Sequence, residues 1–331
     1  MFSFLIGFIV SAFINLLVIK QSKLHEMALD SDLTGVQKVH AHAVPRIGGI
    51  GIFLAVILSS IVSTLRTPSI AAAVFILLSC AAVAFSGGIV EDFTRKVSPR
   101  RRLILTMIAA AIGYFMFDAK IGRIDWISSH WMLDYIWLSL PFTIFAVAGI
   151  AHAVNIIDGF NGLSSVVTMC MLCSLGYVAF QVNDTFVLVM SFVVAGAIAG
   201  FLIWNYPAGL IFLGDGGAYL LGFILGELSI LLVMRNSEVS TWYALLLLIY
   251  PVFETMFSVY RRFFLRGQSP GEPDGIHLHS LIFRRIAVWA VGYKDAKTLT
   301  HRNAMTSPYL WLLSLMAVVP ATLFWRHTGI L

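Results

Sequence analysis

Ten apolar runs, joined by short polar connections, make up most of this chain. They cover 2–19, 47–65, 69–90, 103–117, 135–154, 163–181, 185–204, 210–233, 241–262 and 308–325. A run of about 17–25 apolar residues lets a helix cross the hydrocarbon core. A soluble domain is about 45–50% apolar and 25% charged. This chain is 59% hydrophobic and 12% charged, with a mean hydropathy of +0.88. The pattern predicts an all-α polytopic membrane protein of about ten transmembrane helices, forming a single domain over 1–331, with little room for a soluble one. The fourth run is short. Pro251 should bend the ninth, because proline breaks the helical ladder. Gly196-x-x-x-Gly200 and Gly222-x-x-x-Gly226 suit close helix contacts. The first run lacks a basic leader and a small-x-small cleavage site, so it reads as a retained span. Cys80, Cys170 and Cys173 all lie in apolar runs and read as buried structural thiols.

Lys and Arg sort by side. Seventeen of the 22 fall in the connections after runs 1, 3 and 9, and the exceptions are Arg66, Lys120, Arg123, Arg235 and Arg326. By the positive-inside rule those three connections are cytoplasmic and both termini lie outside. The cytoplasmic loops are then 20–46, 91–102, 155–162, 205–215 and 263–307. The net charge of +5 follows from this sorting and gives no reason to invoke nucleic acid.

Every chemistry-bearing motif falls on that same face. Carboxylates beside a membrane are costly, at about 2.5–3.5 kcal/mol near a helix centre, yet three acidic sites end apolar runs. Glu91 and Asp92 precede Arg95, Lys96 and Arg100–Arg102; a carboxylate pair can hold Mg2+ or activate a nucleophile, and the cations can hold phosphate. Asn155, Asp158 and Asn161 follow at three-residue spacing, with Gly159 and Gly162 loosening the turn. They offer hard oxygens and amides suited to Mg2+ and to a nucleobase edge. Asp215 stands among Gly214, Gly216 and Gly217, which permit close approach of a ligand; alone it could be a helix cap. Lys38, His40 and Arg46 precede Gly48-Gly49. His277 and His279 precede an amphipathic stretch over 280–290 containing Arg284 and Arg285. His25, His130, His152, His301 and His327 carry no pattern.

In this order the motifs resemble the polyprenyl-phosphate N-acetylhexosamine-1-phosphate transferase superfamily over nearly the whole chain. The likeness rests on Lys38-x-His40 with Pro45-x-x-Gly48-Gly49, the acidic pair 91–92, Asn155-x-x-Asp158-Gly159-x-Asn161-Gly162-Leu163, Phe212-x-Gly214-Asp215 and His277-x-His279. It implies Mg2+, or Mn2+, on Asp215 with Asn155 and Asp158, and catalytic roles for Glu91, Asp92 and Asp158. It implies nucleotide-sugar contacts at Asn161, Gly162, His277, His279, Arg284 and Arg285. Lipid-phosphate contacts would fall on Lys38, His40, Arg95 and Lys96. The partners would be undecaprenyl phosphate and a UDP-N-acetylhexosamine within a bacterial inner membrane, the product an O-antigen-type lipid-linked glycan, and a homodimer is compatible. The family usually has Asp-Asp where Glu91-Asp92 stands, and a third histidine where Ser280 stands. Asn161 and the isolated histidines resemble the sugar-nucleotide branch rather than the muramoyl-pentapeptide branch. The alternative is a multi-pass transporter with cytoplasmic gating residues. That reading expects ionisable groups inside the spans, where Glu227 and Glu254 are the main examples.

Overall fold

A computed structural model describes residues 2–25, 29–30, 44–126, 130–265, 267, 277–283 and 296–331. The chain is an all-α polytopic membrane protein. In order, the helices are α1 (Phe2–His25), α2 (Gly48–Arg66), α3 (Ala71–Thr94), α4 (Pro99–Phe117), α5 (Ile136–Ile157), α6 (Leu163–Gln181), α7 (Thr185–Asn205) and α8 (Gly214–Arg235). They continue with α9 (Thr241–Leu247), α10 (Ile249–Tyr260), the short α11 (Leu278–Ile282) and α12 (Ala296–Leu323). A two-residue antiparallel bridge, β1 (Leu29–Asp30) with β2 (Val44–Pro45), joins the segments between α1 and α2.

Each of the ten apolar runs contains a long helix or the bent pair. Among the described residues, eight helices are long and apolar enough to cross a membrane, or nine if α9 and α10 form one span. The tenth, α4, misses that test because its first turn carries Arg100, Arg101 and Arg102. The α9–α10 bend is 65° and falls at Leu248, three residues before the proline expected to cause it. The reason is local: Pro251 has no N–H to return to the carbonyl of Leu247, so the ladder opens one turn upstream.

Burial decides which helix is central. In α8, 94% of the most apolar window is buried, against 22% in α1. A helix that is apolar all round belongs in the middle of a bundle, and α8 packs on α2, α3, α5 and α6. The glycine spacings mark close approaches. A Cβ on Gly196 or Gly200 would strike the carbonyl oxygens of Phe4 and Phe8 in α1, and one on Gly222 would lie 2.7 Å from the Cα of Ala151 in α5. The cysteines depart from expectation: only Cys80 is buried, Cys170 is half-buried and Cys173 is exposed on α6, all as free thiols. In a bundle bathed by lipid, an apolar position need not face protein. The two interior acids lie on different helices. The Glu227 carboxylate packs against Gly113 of α4, and Glu254 is buried on α10 one turn after Tyr250.

The close contact of α3 with α8 joins two of the acidic motifs. A Cβ on Gly88 would collide with the backbone of Asp215 and Gly216. Replacing Gly88 by valine should therefore push α3 away from the start of α8. Overpacking of this kind costs about 1–3 kcal/mol. The expected result is a lower thermal-unfolding midpoint in detergent, and an unchanged midpoint would count against the close approach.

Candidate active site

Asp215 sits where four helix ends converge, and local chemistry places each of them. Ser98 caps α4: its side chain accepts a hydrogen bond from the Arg101 N–H, with Pro99 in the first turn, a residue pair that favours starting a helix. That start puts Arg102 in the first turns of α4, where its Nη1 donates to Asp215 Oδ2 in an ion pair. Both side chains are about one-seventh exposed, at 14%. From the end of α5, Asn155 Nδ2 donates to Asp215 Oδ1 at 2.9 Å. Arg46, just before α2, lies 3.8 Å from the same oxygen. Tyr219, one turn into α8, donates its hydroxyl to Asn155 Oδ1 at 3.3 Å. That bond turns the amide so that its NH2 faces Asp215.

Asp92 holds the start of α8. The first N–H groups of a helix have no partner within it and carry its positive end. Here the N–H of Asp215 donates to Asp92 Oδ1 and that of Gly216 to Asp92 Oδ2, each at 2.9 Å. The carboxylate at the end of α3 thus clamps α8, and Asp92 is 5% exposed. Gly214 makes the geometry possible. Its φ is +78°, a region that disfavours side chains, and a Cβ there would strike the Arg46 carbonyl and lie 2.7 Å from Asp92 Oδ2. The loop before α2 completes the frame. The N–H groups of Gly48 and Gly49 donate to the carbonyls of Phe212 and Leu213, and that of Phe212 to the carbonyl of Pro45.

A profile of glycosyl transferase family 4 matches residues 74–233. Over 290 residues the chain is 27% identical to a Bacillus subtilis (strain 168) protein named as a probable undecaprenyl-phosphate N-acetylglucosaminyl 1-phosphate transferase. The match covers 86% of this chain and 75% of that protein. It is 28% identical over 260 residues to the undecaprenyl-phosphate alpha-N-acetylglucosaminyl 1-phosphate transferase of Thermotoga maritima, covering 76% and 72% of the two. It is 30% identical over 218 residues to a phospho-N-acetylmuramoyl-pentapeptide-transferase of Streptococcus gordonii, covering 64% and 65%. These matches support the polyprenyl-phosphate N-acetylhexosamine-1-phosphate transferase superfamily for this chain.

Around this site the motif residues part company. Asn155, Asp215 and Asp92 meet directly. Glu91 faces its own loop: its Oε2 accepts the Val97 N–H at 2.7 Å. Arg95 closes α3 with its N–H on the Glu91 carbonyl, in left-handed backbone at φ 53°, and Arg95 and Lys96 are both exposed. Asp158 Oδ1 accepts the Ser164 hydroxyl at 2.6 Å, at the start of α6. Asn161 is 4% exposed and ties this loop to α12. Its N–H donates to Asn303 Oδ1 at 2.8 Å, its carbonyl accepts from the Ser307 hydroxyl at 2.6 Å, and its Nδ2 donates to the Pro207 carbonyl at 3.2 Å. Gly162 donates to Asn205 Oδ1 at 2.6 Å and accepts from Trp311 Nε1 at 3.1 Å. His277 leads into α11, which reaches the same loop through Phe283 on Phe160, ring centroids 5.3 Å apart. Lys38, His40, Arg284, Arg285 and the side chain of His279 lie outside the described residues, as do 284–290 of the amphipathic stretch.

Tyr219 is a site residue that the sequence pattern did not single out, and Arg102 and Arg46 stood there only among the cations of their loops, with no tie to Asp215. Arg102 stood in a run of three arginines, and only the start of α4 separates it from its neighbours. The spacing of Tyr219 to Asp215, four residues on one helix, was a usable signal. The donor set also bears on metal. Asp215 and Asn155 carry hard oxygens, and Mg2+ is commonly held by one or two carboxylates plus substrate phosphates. The residues fit that pattern. Among the described residues no group of three or more His, Cys, Asp or Glu could hold an ion unaided.

Proposed function

We propose that this protein transfers N-acetylhexosamine-1-phosphate from a UDP-sugar to undecaprenyl phosphate, releasing UMP and starting a lipid-linked glycan of the O-antigen type. The observation that carries the reading is Asp215 at the head of the buried helix α8, bracketed by Arg102, Arg46 and Asn155. A carboxylate with two guanidinium groups at a helix N-terminus is suited to substrates bearing several phosphates. The relatives' names describe transfer to undecaprenyl phosphate, which supports the same chemistry. The site also lies at the arginine-rich end of the bundle, with Arg95, Lys96 and Arg100 to Arg102, and that supports a cytoplasmic position in a bacterial inner membrane.

In this reading a lipid-phosphate oxygen attacks the β-phosphorus of the UDP-sugar. The new P–O bond forms as the bond to UMP breaks, and the electron pair leaves with UMP. Mg2+ bound by Asp215 and Asn155 would neutralise the diphosphate charge. Arg102 and Arg46 orient the phosphates and offset the negative charge spread over them in the transition state. Asp92 holds Asp215 in register. Asp158, Asn161 and Gly162 shape the loop beside the nucleotide sugar, and the loop bearing His277, His279, Arg284 and Arg285 grips the diphosphate. Glu91, Arg95 and Lys96, with Lys38 and His40, serve the lipid phosphate.

Both Asp92 oxygens accept backbone N–H groups and both Asp215 oxygens accept side-chain donors, which favours direct transfer over a covalent aspartyl intermediate. One phosphoanhydride replaces another, so the reaction runs near equilibrium. Labelled UMP is therefore expected to exchange into UDP-GlcNAc only when undecaprenyl phosphate is present. Exchange without the lipid would establish the covalent route. Protein that turns over none of UDP-GlcNAc, UDP-GalNAc or their 6-deoxy analogues would overturn the reading itself.

A further inference from the structure

Two buried polar atoms beside the Asp215 cluster take no part in its contacts. His152 Nε2 and Arg102 Nε are both inaccessible to solvent and have no hydrogen-bond partner among the described residues. Buried polar atoms are nearly always paired, so each such exception calls for an account. These two flank one ring. The His152 imidazole lies on Tyr219 with centroids 4.7 Å apart, and the Arg102 guanidinium carbon is 5.9 Å from the same Tyr219 centroid. His152 is one turn before Asn155 on α5, on the face that meets α8. Tyr219 therefore has the Asn155–Asp215 pair at its hydroxyl, and two unsatisfied nitrogens about its ring.

We infer that His152 is a substrate-contact residue, its Nε2–H and the Arg102 Nε–H together donating to a phosphoryl oxygen of the bound substrate. The chemistry selects the ligand class. Arg102 Nε can only donate, and an imidazole in its Nε2–H form donates too. Two unpaired donors beside one ring call for an acceptor rich in lone pairs, and Arg102 already carries the charge that attracts an anion. The oxygen could belong to the diphosphate of the nucleotide sugar or to the lipid phosphate. This inference rests on the reading of the site as a phosphate-binding one, and it assigns a role to a histidine outside every sequence motif.

The test uses full-length protein in detergent and two variants. His152→Phe keeps a ring against Tyr219 without the donor, and His152→Leu removes both. Inorganic pyrophosphate is the probe, titrated calorimetrically without turnover. A hydrogen bond to a charged group corresponds to about tenfold in affinity, so pyrophosphate should bind about tenfold more weakly to either folded variant. His152→Gln, which restores an N–H donor, should recover most of the loss. In steady-state assays, a raised KM for the nucleotide sugar assigns the contact to the diphosphate, and a raised KM for the lipid assigns it to the lipid phosphate. Wild-type pyrophosphate affinity and wild-type KM for both substrates in a folded His152→Phe or His152→Leu variant would overturn the inference, leaving a bridging water as the partner. Wild-type protein that binds no pyrophosphate would overturn it as well. If pyrophosphate binding depends on His152 but no sugar phosphate is transferred, the proposed function fails and the contact stands.

Discussion

Replacing Asp215 by asparagine is expected to reduce kcat by at least about 100-fold, the scale on which a single preorganised electrostatic group acts in a transition state. The substitution keeps the shape of the side chain and an oxygen that Arg102 can still donate to, but removes the charge. Arg102 and Arg46 then lose the anion that positions them, and the hard carboxylate proposed to hold Mg2+ is gone. Stability should change little, within about 1 kcal/mol, because the start of α8 is capped by Asp92 and not by the Asp215 side chain. The measurements are transfer of label from UDP-GlcNAc to undecaprenyl phosphate and the thermal-unfolding midpoint in detergent. Full activity in the asparagine variant would remove Asp215 from the chemistry.

Replacing Asp92 by alanine is expected to damage fold and activity together. Two buried N–H groups, those of Asp215 and Gly216, would lose their acceptors. Each buried donor left unpaired costs about 1–3 kcal/mol, so the loss is roughly 2–6 kcal/mol, with the helix dipole also left uncompensated. Since Asp215 is the residue released, turnover should fall in step. Asp92→Asn keeps one acceptor and should lie between alanine and wild type in both readouts. The decisive outcome is a split. An Asp92→Asn protein with the wild-type unfolding midpoint but no activity would give Asp92 a chemical role beyond holding α8.

Much of this architecture was legible because a bilayer allows few solutions. Long apolar runs become helices, and the ten runs do contain the long helices. The arginines in the first turn of α4 show where that rule meets its limit, since a helix can form without being apolar throughout. Legibility declined where the answer depended on neighbours. Cys173 sits in an apolar run and faces outward, because hydropathy does not distinguish lipid from protein interior. Pro251 announced a bend, but the bend falls one turn earlier, at the carbonyl deprived of its donor.

The motifs followed the same division. Asp215 and Asn155 stood out as polar residues at the ends of apolar runs, and they do meet. Asn161 stood out for the same reason, yet its described contacts tie a loop to α12. Asp215 and Asn161 are both polar groups beside glycines, and nothing along the chain separates them. Tertiary structure did so through two long-range events: α3 meeting α8 without an intervening Cβ at Gly88, and α4 starting at Ser98 so that Arg102 faces inward. His152 is the extreme case, since its chemistry depends wholly on the Tyr219 ring beside it.

The sequence by itself determined that the chain is a helical membrane protein with its acids at helix ends, because burial in lipid and charge asymmetry act on each segment separately. Which acid holds a helix, which one faces the arginines, and which histidine joins them was decided only by tertiary structure, because these contacts form over a few ångströms between residues sixty or more positions apart.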